Sequence, residues 1–169
     1  MNKRFNKLSA GKKGFTIIEL IVVIAIIAIL ASIVLVNVTQ YINKSKDGAA
    51  IADLDAMRTN AGAFFASNNG TYNGFETGAT YTTVASCTAT GIDSSFTTPC
   101  VGLINAGYDA NGSTTTGIVT SCDVASCGSG ATKWCAMVTL KATTNTYCID
   151  SSSNVLNKAG GTCSSGVCN

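Results

Sequence analysis

Histidine is absent from this chain of 169 residues, and proline occurs once, as Pro99. Without histidine no Ser-His or Cys-His nucleophile pair can form, and the nitrogen ligand that zinc sites often include is missing. Charge is also scarce: 12% of residues carry one, and the cations are unevenly placed. Lys3, Arg4, Lys7, Lys12 and Lys13 sit at the start; removing the first 14 residues leaves six basic side chains against nine acidic ones and turns a formal +2 into −3. Beyond Met57 the cations Arg58, Lys133, Lys141 and Lys158 are scattered, which argues against a nucleic-acid-binding surface. No P-loop and no dinucleotide fingerprint stands out. The isolated acids Asp93, Asp109, Asp123 and Asp150 read as surface or turn residues. The expectation is a protein that is not an enzyme, with no catalytic residue, no cofactor and no metal.

Cysteine is missing from the whole N-terminal half and then occurs eight times, at Cys87, Cys100, Cys122, Cys127, Cys135, Cys148, Cys163 and Cys168. An even number confined to one part of the chain reads as disulfides in an oxidising compartment. The rival is zinc, because Cys122/Cys127 and Cys163/Cys168 are C-x4-C pairs; zinc sites favour C-x2-C and often add histidine. Spacing does not choose among the many possible pairings.

Against these absences stands one long apolar run, "KKGFTIIELIVVIAIIAILASIVLV". From Phe15 to Val36 there are 22 residues and one charge, Glu19. As a helix this segment is about 33 Å long, enough to cross a hydrocarbon core of roughly 30 Å. The five preceding cations hold the N-terminus in the cytoplasm, so everything after Val36 is exported. A chain of this length then suits an anchor and one domain.

Glu19 poses a problem, since a carboxylate in lipid costs about 2.5–3.5 kcal/mol at mid-bilayer and less near the interface. The apolar core is too long for an ordinary secretory signal, and no Ala-x-Ala follows it. One reading is an uncleaved signal anchor. The other is cleavage between Gly14 and Phe15, which creates an α-amino group four residues before Glu19. That amine and carboxylate can pair within a helical turn or between neighbouring helices, and in a low-dielectric setting the pairing sets register.

These residues carry a resemblance. The leader cations, Gly14, Phe15, Thr16, Ile17, Ile18 and Glu19 match, residue by residue, the class III leader junction of type IV pilins and type II secretion pseudopilins. The resemblance covers about 40 residues, and the remainder is similar only in layout. It departs at one position: many members carry a proline where this chain has Val36. The resemblance implies a prepilin peptidase that cuts after Gly14 and methylates the Phe15 amine. It further implies a subunit that waits in the cytoplasmic membrane until an assembly platform extracts it, with Phe15 and Glu19 serving assembly.

After Val36 the helix is expected to continue to Asn68. Val38, Tyr41, Ile42, Ile51, Leu54, Met57, Ala61, Phe64 and Phe65 recur at three- and four-residue steps, while Lys44, Lys46, Asp47, Asp53, Asp55 and Arg58 take other faces. "SNNGTY" ends it, with Gly70 in the left-handed C′ position. Beyond, "TKWCAMVTLKA" and "NTYCID" are β-prone, and "LINAGYD" and "GIVTSCDV" are weaker strand candidates. The expected fold is α+β, pilin-like: a long N-terminal helix on a small antiparallel sheet in a disulfide-rich head. The expected division is a cleaved leader at 1–14, a membrane or filament-core helix at 15–36, its amphipathic continuation at 37–68 and the head at 69–169.

Four motifs read as turns. "DANGSTTTGIVT" places Asp109, Asn111 and Ser113 like a calcium loop but has Thr120 where the bidentate Glu belongs. Because some pseudopilins of this build hold calcium in a C-terminal loop, "DSSSN" from Asp150 to Asn154 is a second weak candidate. "NGT" at Asn69 and "NGS" at Asn111 match glycosylation acceptors within turn sequences. The function expected is a structural subunit of an extracellular type IV pilus, partnered by identical or related pilins. The alternatives are a pseudopilin in a periplasmic pseudopilus, and a membrane-tethered disulfide-rich binding domain that never polymerises.

Overall fold

The computed structural model describes residues 14–108 and 117–169. The leader cations, Asp109, Ser113 and the Asn111 acceptor lie outside the described residues. In chain order the elements are α1 (Ile17–Ser67), β1 (Thr80–Tyr81), α2 (Val84–Cys87), α3 (Ser94–Asn105), β2 (Ile118–Cys122), a 3-10 turn (Ala125–Cys127), β3 (Trp134–Thr139), β4 (Thr146–Asp150), β5 (Val155–Lys158), β6 (Cys163–Ser164) and β7 (Val167–Cys168). The chain divides into two compact units, Met1–Thr39 and Gln40–Asn169.

In the first unit α1 is apolar on every side, and every described side chain from Phe15 to Leu35 is exposed. Its few polar side chains are satisfied locally. The Ser32 hydroxyl donates to the Ile29 carbonyl at 2.8 Å and the Thr39 hydroxyl to Leu35 at 3.2 Å, which lets hydroxyls sit in a helix without an open donor.

In the second unit α1 buries Ala50, Leu54, Met57 and Ala61, a stripe with three- and four-residue steps that lies on one helical face. Asp47 belongs to the same stripe and is buried, contrary to the expectation that it faces solvent. Its carboxylate accepts hydrogen bonds from the Tyr108 hydroxyl and from the peptide N–H groups of Lys141 at 2.7 Å and Ala142 at 2.9 Å. Those three donors offset the cost of burying a charge. Val38, Tyr41 and Ile42 stay exposed. After Ser67 the chain turns through two left-handed residues, Asn69 (φ 53°) and Gly70 (φ 72°), so Asn69 takes the C′ position expected of Gly70.

"LINAGYD" is not a strand. Leu103 to Asn105 finish α3, whose buried residues Phe96, Pro99, Cys100, Leu103 and Ile104 have helical spacing. Asp93 caps its N-terminus by accepting from Ser95 N–H at 2.8 Å. Pro99 inside the helix cannot donate to the carbonyl of Ser95 four residues earlier. The Asn60 amide of α1 donates to that carbonyl at 2.6 Å instead. Gly102 completes the fit, because a Cβ there would lie 2.6 Å from the Asp53 carboxylate.

The main sheet is antiparallel in the order β1-β2-β3-β4-β5. Its register pairs Ala136 with Ile149 and Val138 with Tyr147, and Cys135 with Asp150 and Met137 with Cys148. Alternation therefore sends Trp134, Ala136, Val138, Tyr147 and Ile149 to one face and Cys135 and Cys148 to the other. The first face joins the α1 stripe in a single core, with Phe75 between Phe64, Phe96 and Trp134 at centroid distances of 5.3–5.5 Å. On the second face Cys135–Cys163 and Cys148–Cys168 tie down the β6–β7 hairpin over Met137 and Leu156.

If Asn60 is what makes Pro99 tolerable, Asn60→Ala should destabilise this unit by about 1–2 kcal/mol, the cost of leaving a partly buried carbonyl unpaired. Urea unfolding followed by the fluorescence of the single tryptophan, Trp134, reads it; an unchanged midpoint would mean that the carbonyl finds water and the pairing is dispensable.

Candidate functional site

Gly14 and Phe15 precede α1 in extended, exposed chain. No atom lies within 4 Å of a Cβ built on Gly14, and Phe15 is 89% exposed. Among the described residues, nothing beyond the chain neighbours crowds the junction at which the sequence predicts cleavage. Thr16 begins the helix: its carbonyl accepts from Leu20 N–H at 3.3 Å. Its hydroxyl accepts from Glu19 N–H at 3.3 Å, while Glu19 Oε2 accepts from the Thr16 N–H at 2.8 Å and hydroxyl at 2.9 Å. That reciprocal arrangement is a capping box. Sequence reasoning missed it, although the T-x-x-E spacing was its signal, and it gives Glu19 a partner inside its own chain. Among the described residues α1 is the one helix long and apolar enough to cross a membrane.

A family model for the prokaryotic N-terminal methylation motif matches residues 9–35. This chain carries a class III leader of the type IV pilin and pseudopilin type. The match spans the Gly14–Phe15 junction, Glu19 and the apolar helix, and together with that helix it is consistent with membrane anchoring. No curated protein and no solved structure matches the chain.

Behind the class III leader, the eight cysteines of the head form four bridges: Cys87–Cys100, Cys122–Cys127, Cys135–Cys163 and Cys148–Cys168. The C-x4-C pairs are therefore not alike, one being joined to itself and the other divided between two bridges. On loop-closure entropy Cys122–Cys127, separated by 5 residues, contributes about 2 kcal/mol, against about 3–3.5 kcal/mol for the bridges separated by 13 to 28.

Asp150 is fully buried. Its oxygens accept from Ser152 N–H, Asn154 N–H, the Asn154 amide and Cys168 N–H at 2.9–3.3 Å, so "DSSSN" is a turn closed around its own carboxylate. Asp123 likewise closes a turn, accepting from the Thr132 N–H and hydroxyl and from Lys133 N–H. Asn69 of "NGT" lies in the turn that ends α1.

Glu76 is the residue that sequence reasoning did not single out, since one acid in "NGFETG" carries no spacing signal. It is 1% exposed. Oε2 accepts from the Thr120 hydroxyl at 2.6 Å, the Tyr81 hydroxyl at 3.0 Å and Gly78 N–H. Oε1 faces Cys127 Sγ at 2.6 Å and Cys122 Sγ at 3.5 Å. Glu76, Cys122 and Cys127 are the described residues whose ligand atoms cluster as a metal site would, but both sulfurs are spent on each other. Burial pushes the Glu76 carboxyl above the usual carboxylate range, and the hydrogen bonds from Thr120, Gly78, Tyr81 and Ala79 pull it only part of the way back.

A raised folded-state pKa means that the native head holds a proton the unfolded chain releases. The stability tied to that proton is complete below the ordinary value of 4.5 and is lost as pH rises through the folded value. Glu76→Gln should remove that component, so that the variant loses less stability than the parent between pH values just below and well above 4.5. Parallel pH profiles of unfolding free energy for the two proteins would show that Glu76 is ionised throughout.

Proposed function

We propose that this chain is the structural subunit of a type IV pilus. A prepilin peptidase cuts it after Gly14 and methylates Phe15, and an assembly platform moves it from the cytoplasmic membrane into an extracellular filament of identical or related subunits. The observation that carries this reading is the conjunction at one point of an open Gly14–Phe15 junction, Glu19 at the third helical position and an apolar helix without cover. The methylation-motif match supports it. Cleavage converts the Phe15 amide nitrogen into an amine, which gives the Glu19 carboxylate a charged partner on a neighbouring copy. An unmatched amine inside a dry filament core is costly, whereas an isolated subunit leaves both groups near lipid headgroups. A pseudopilus subunit shares every step up to assembly; it differs in staying in the periplasm.

The mature protein should begin at Phe15 with one added methyl group by intact mass, and Gly14→Val should accumulate as an unprocessed membrane precursor. Residues 1–14 still attached to the filament-competent form would overturn the cleavage assignment.

The capping box makes the Glu19 test sharper. Glu19→Ala removes both cap and charge, whereas Glu19→Gln keeps a side chain able to complete the box and loses only the charge. Both variants should be cleaved and inserted, and both should yield few filaments. Normal filaments from Glu19→Gln alone would reduce Glu19 to a helix cap. Normal filaments from both would mean that the Glu19 carboxylate is not an assembly device.

A further inference from the structure

In the head the buried Glu76 carboxyl lies directly against the sulfurs of a disulfide. Glu76 Oε2 is occupied by hydroxyl and peptide donors, which fixes the carboxyl and aims Oε1 at the sulfurs of Cys127 and Cys122. Sulfurs joined in a disulfide carry no hydrogen, so neither contact is a hydrogen bond while the bridge is closed. Two thiols, once their sulfurs have separated to non-bonded distance, would each have a proton to donate to Oε1. The turn that carries the bridge holds two successive non-glycine residues in the left-handed region, Ser126 at φ 53° and Cys127 at φ 43°, a conformation that persists only when something enforces it. Its five-residue separation is the smallest of the four bridges, so closing it stabilises least. The two residues also differ in exposure: Cys122 keeps 7% of its surface and Cys127 1%.

We propose that Cys122–Cys127 is a thiol–disulfide exchange site for a dithiol, with Glu76 supplying the proton to the leaving sulfur. A thiolate of the dithiol attacks Cys122 Sγ, the Cys122–Cys127 bond breaks, and Cys127 Sγ leaves with the electron pair and takes the proton from Glu76 Oε1. The second thiol of the reagent then attacks its own sulfur in the mixed disulfide, and Cys122 leaves and is protonated. The reagent is oxidised to a disulfide and the protein is reduced to two thiols. Of the reagent's two protons one ends on Cys122, and one is released to solvent because Glu76 stays ionised between its two new S–H donors. Opening therefore releases a proton, and the equilibrium against a dithiol moves toward the open form as pH rises. Among the described residues the only other titratable side chain in contact with Glu76 is Tyr81 of β1, pushed up to about 12 by burial and by Glu76 itself; Thr120 of β2 does not titrate.

The test uses the full chain in detergent, equilibrated with reduced and oxidised dithiothreitol, quenched by alkylation and mapped by mass spectrometry. Cys122 and Cys127 should be the first pair alkylated. Above the ordinary carboxylate range their opening constant should rise with pH, by up to about tenfold per unit, until Glu76 is ionised in the closed form as well. In Glu76→Gln, whose fold is checked by Trp134 fluorescence, the same constant should be flat. Another bridge opening first, or a parent profile as flat as that of the variant, would overturn the proposal. If the variant does not fold, the order of opening and the parent slope decide alone.

Discussion

An apolar helical surface that none of the described residues covers governs this protein. From Phe15 to Leu35 all described side chains are exposed, and each isoleucine, leucine or valine left in water forgoes about 1.5–3 kcal/mol relative to burial. Such a surface exists only in lipid or against other helices. Everything polar on it is arranged to tolerate that: Ser32 and Thr39 bond back to the helix, and the one carboxylate, Glu19, closes a capping box with Thr16. The methylation motif matched at residues 9–35 spans the start of this surface, and under the proposed function processing and assembly would both be decided within those few residues.

The head solves a different problem with the same helix. Its buried stripe from Asp47 to Ala61 meets one face of a sheet whose other face carries the β6–β7 hairpin, with strands of two residues each. A hairpin that short buries too little to hold itself in place. Cys135–Cys163 and Cys148–Cys168 hold it covalently, which is why cysteine is dense where apolar residues are sparse. The four bridges are not equivalent in this respect. Two fasten the hairpin, Cys87–Cys100 joins α2 to α3, and Cys122–Cys127 closes a turn over a buried acid.

Where periodicity and chemistry agreed, the sequence was readable. Leu54, Met57 and Ala61 form the core stripe as their spacing required, and "TKWCAMVTLKA", "NTYCID" and "GIVTSCDV" became β3, β4 and β2. Legibility failed where a residue type disguised its position. Asp47 read as solvent-facing because burial of a charge depends on donors from Tyr108, Lys141 and Ala142, which are distant in sequence. Helix α3 was hidden by its serines, threonines, Pro99 and Gly102; the last two are accommodated against α1, Pro99 by Asn60 on the Ser95 carbonyl and Gly102 by its close approach to Asp53. Glu76 was invisible for the same reason, since its partners Tyr81, Thr120 and Cys127 come together only in the folded head. The capping box at Thr16 and Glu19 was local and readable, and was passed over because the carboxylate drew a longer-range explanation.

Electron microscopy of filaments shed from the cell surface, joined to mass spectrometry of their subunit, addresses the central claim that the uncovered helix is a polymerisation surface. Filaments built from this chain, beginning at Phe15, are the expected result. A chain recovered only as an unpolymerised membrane species, with surface filaments unchanged when it is deleted, would contradict it.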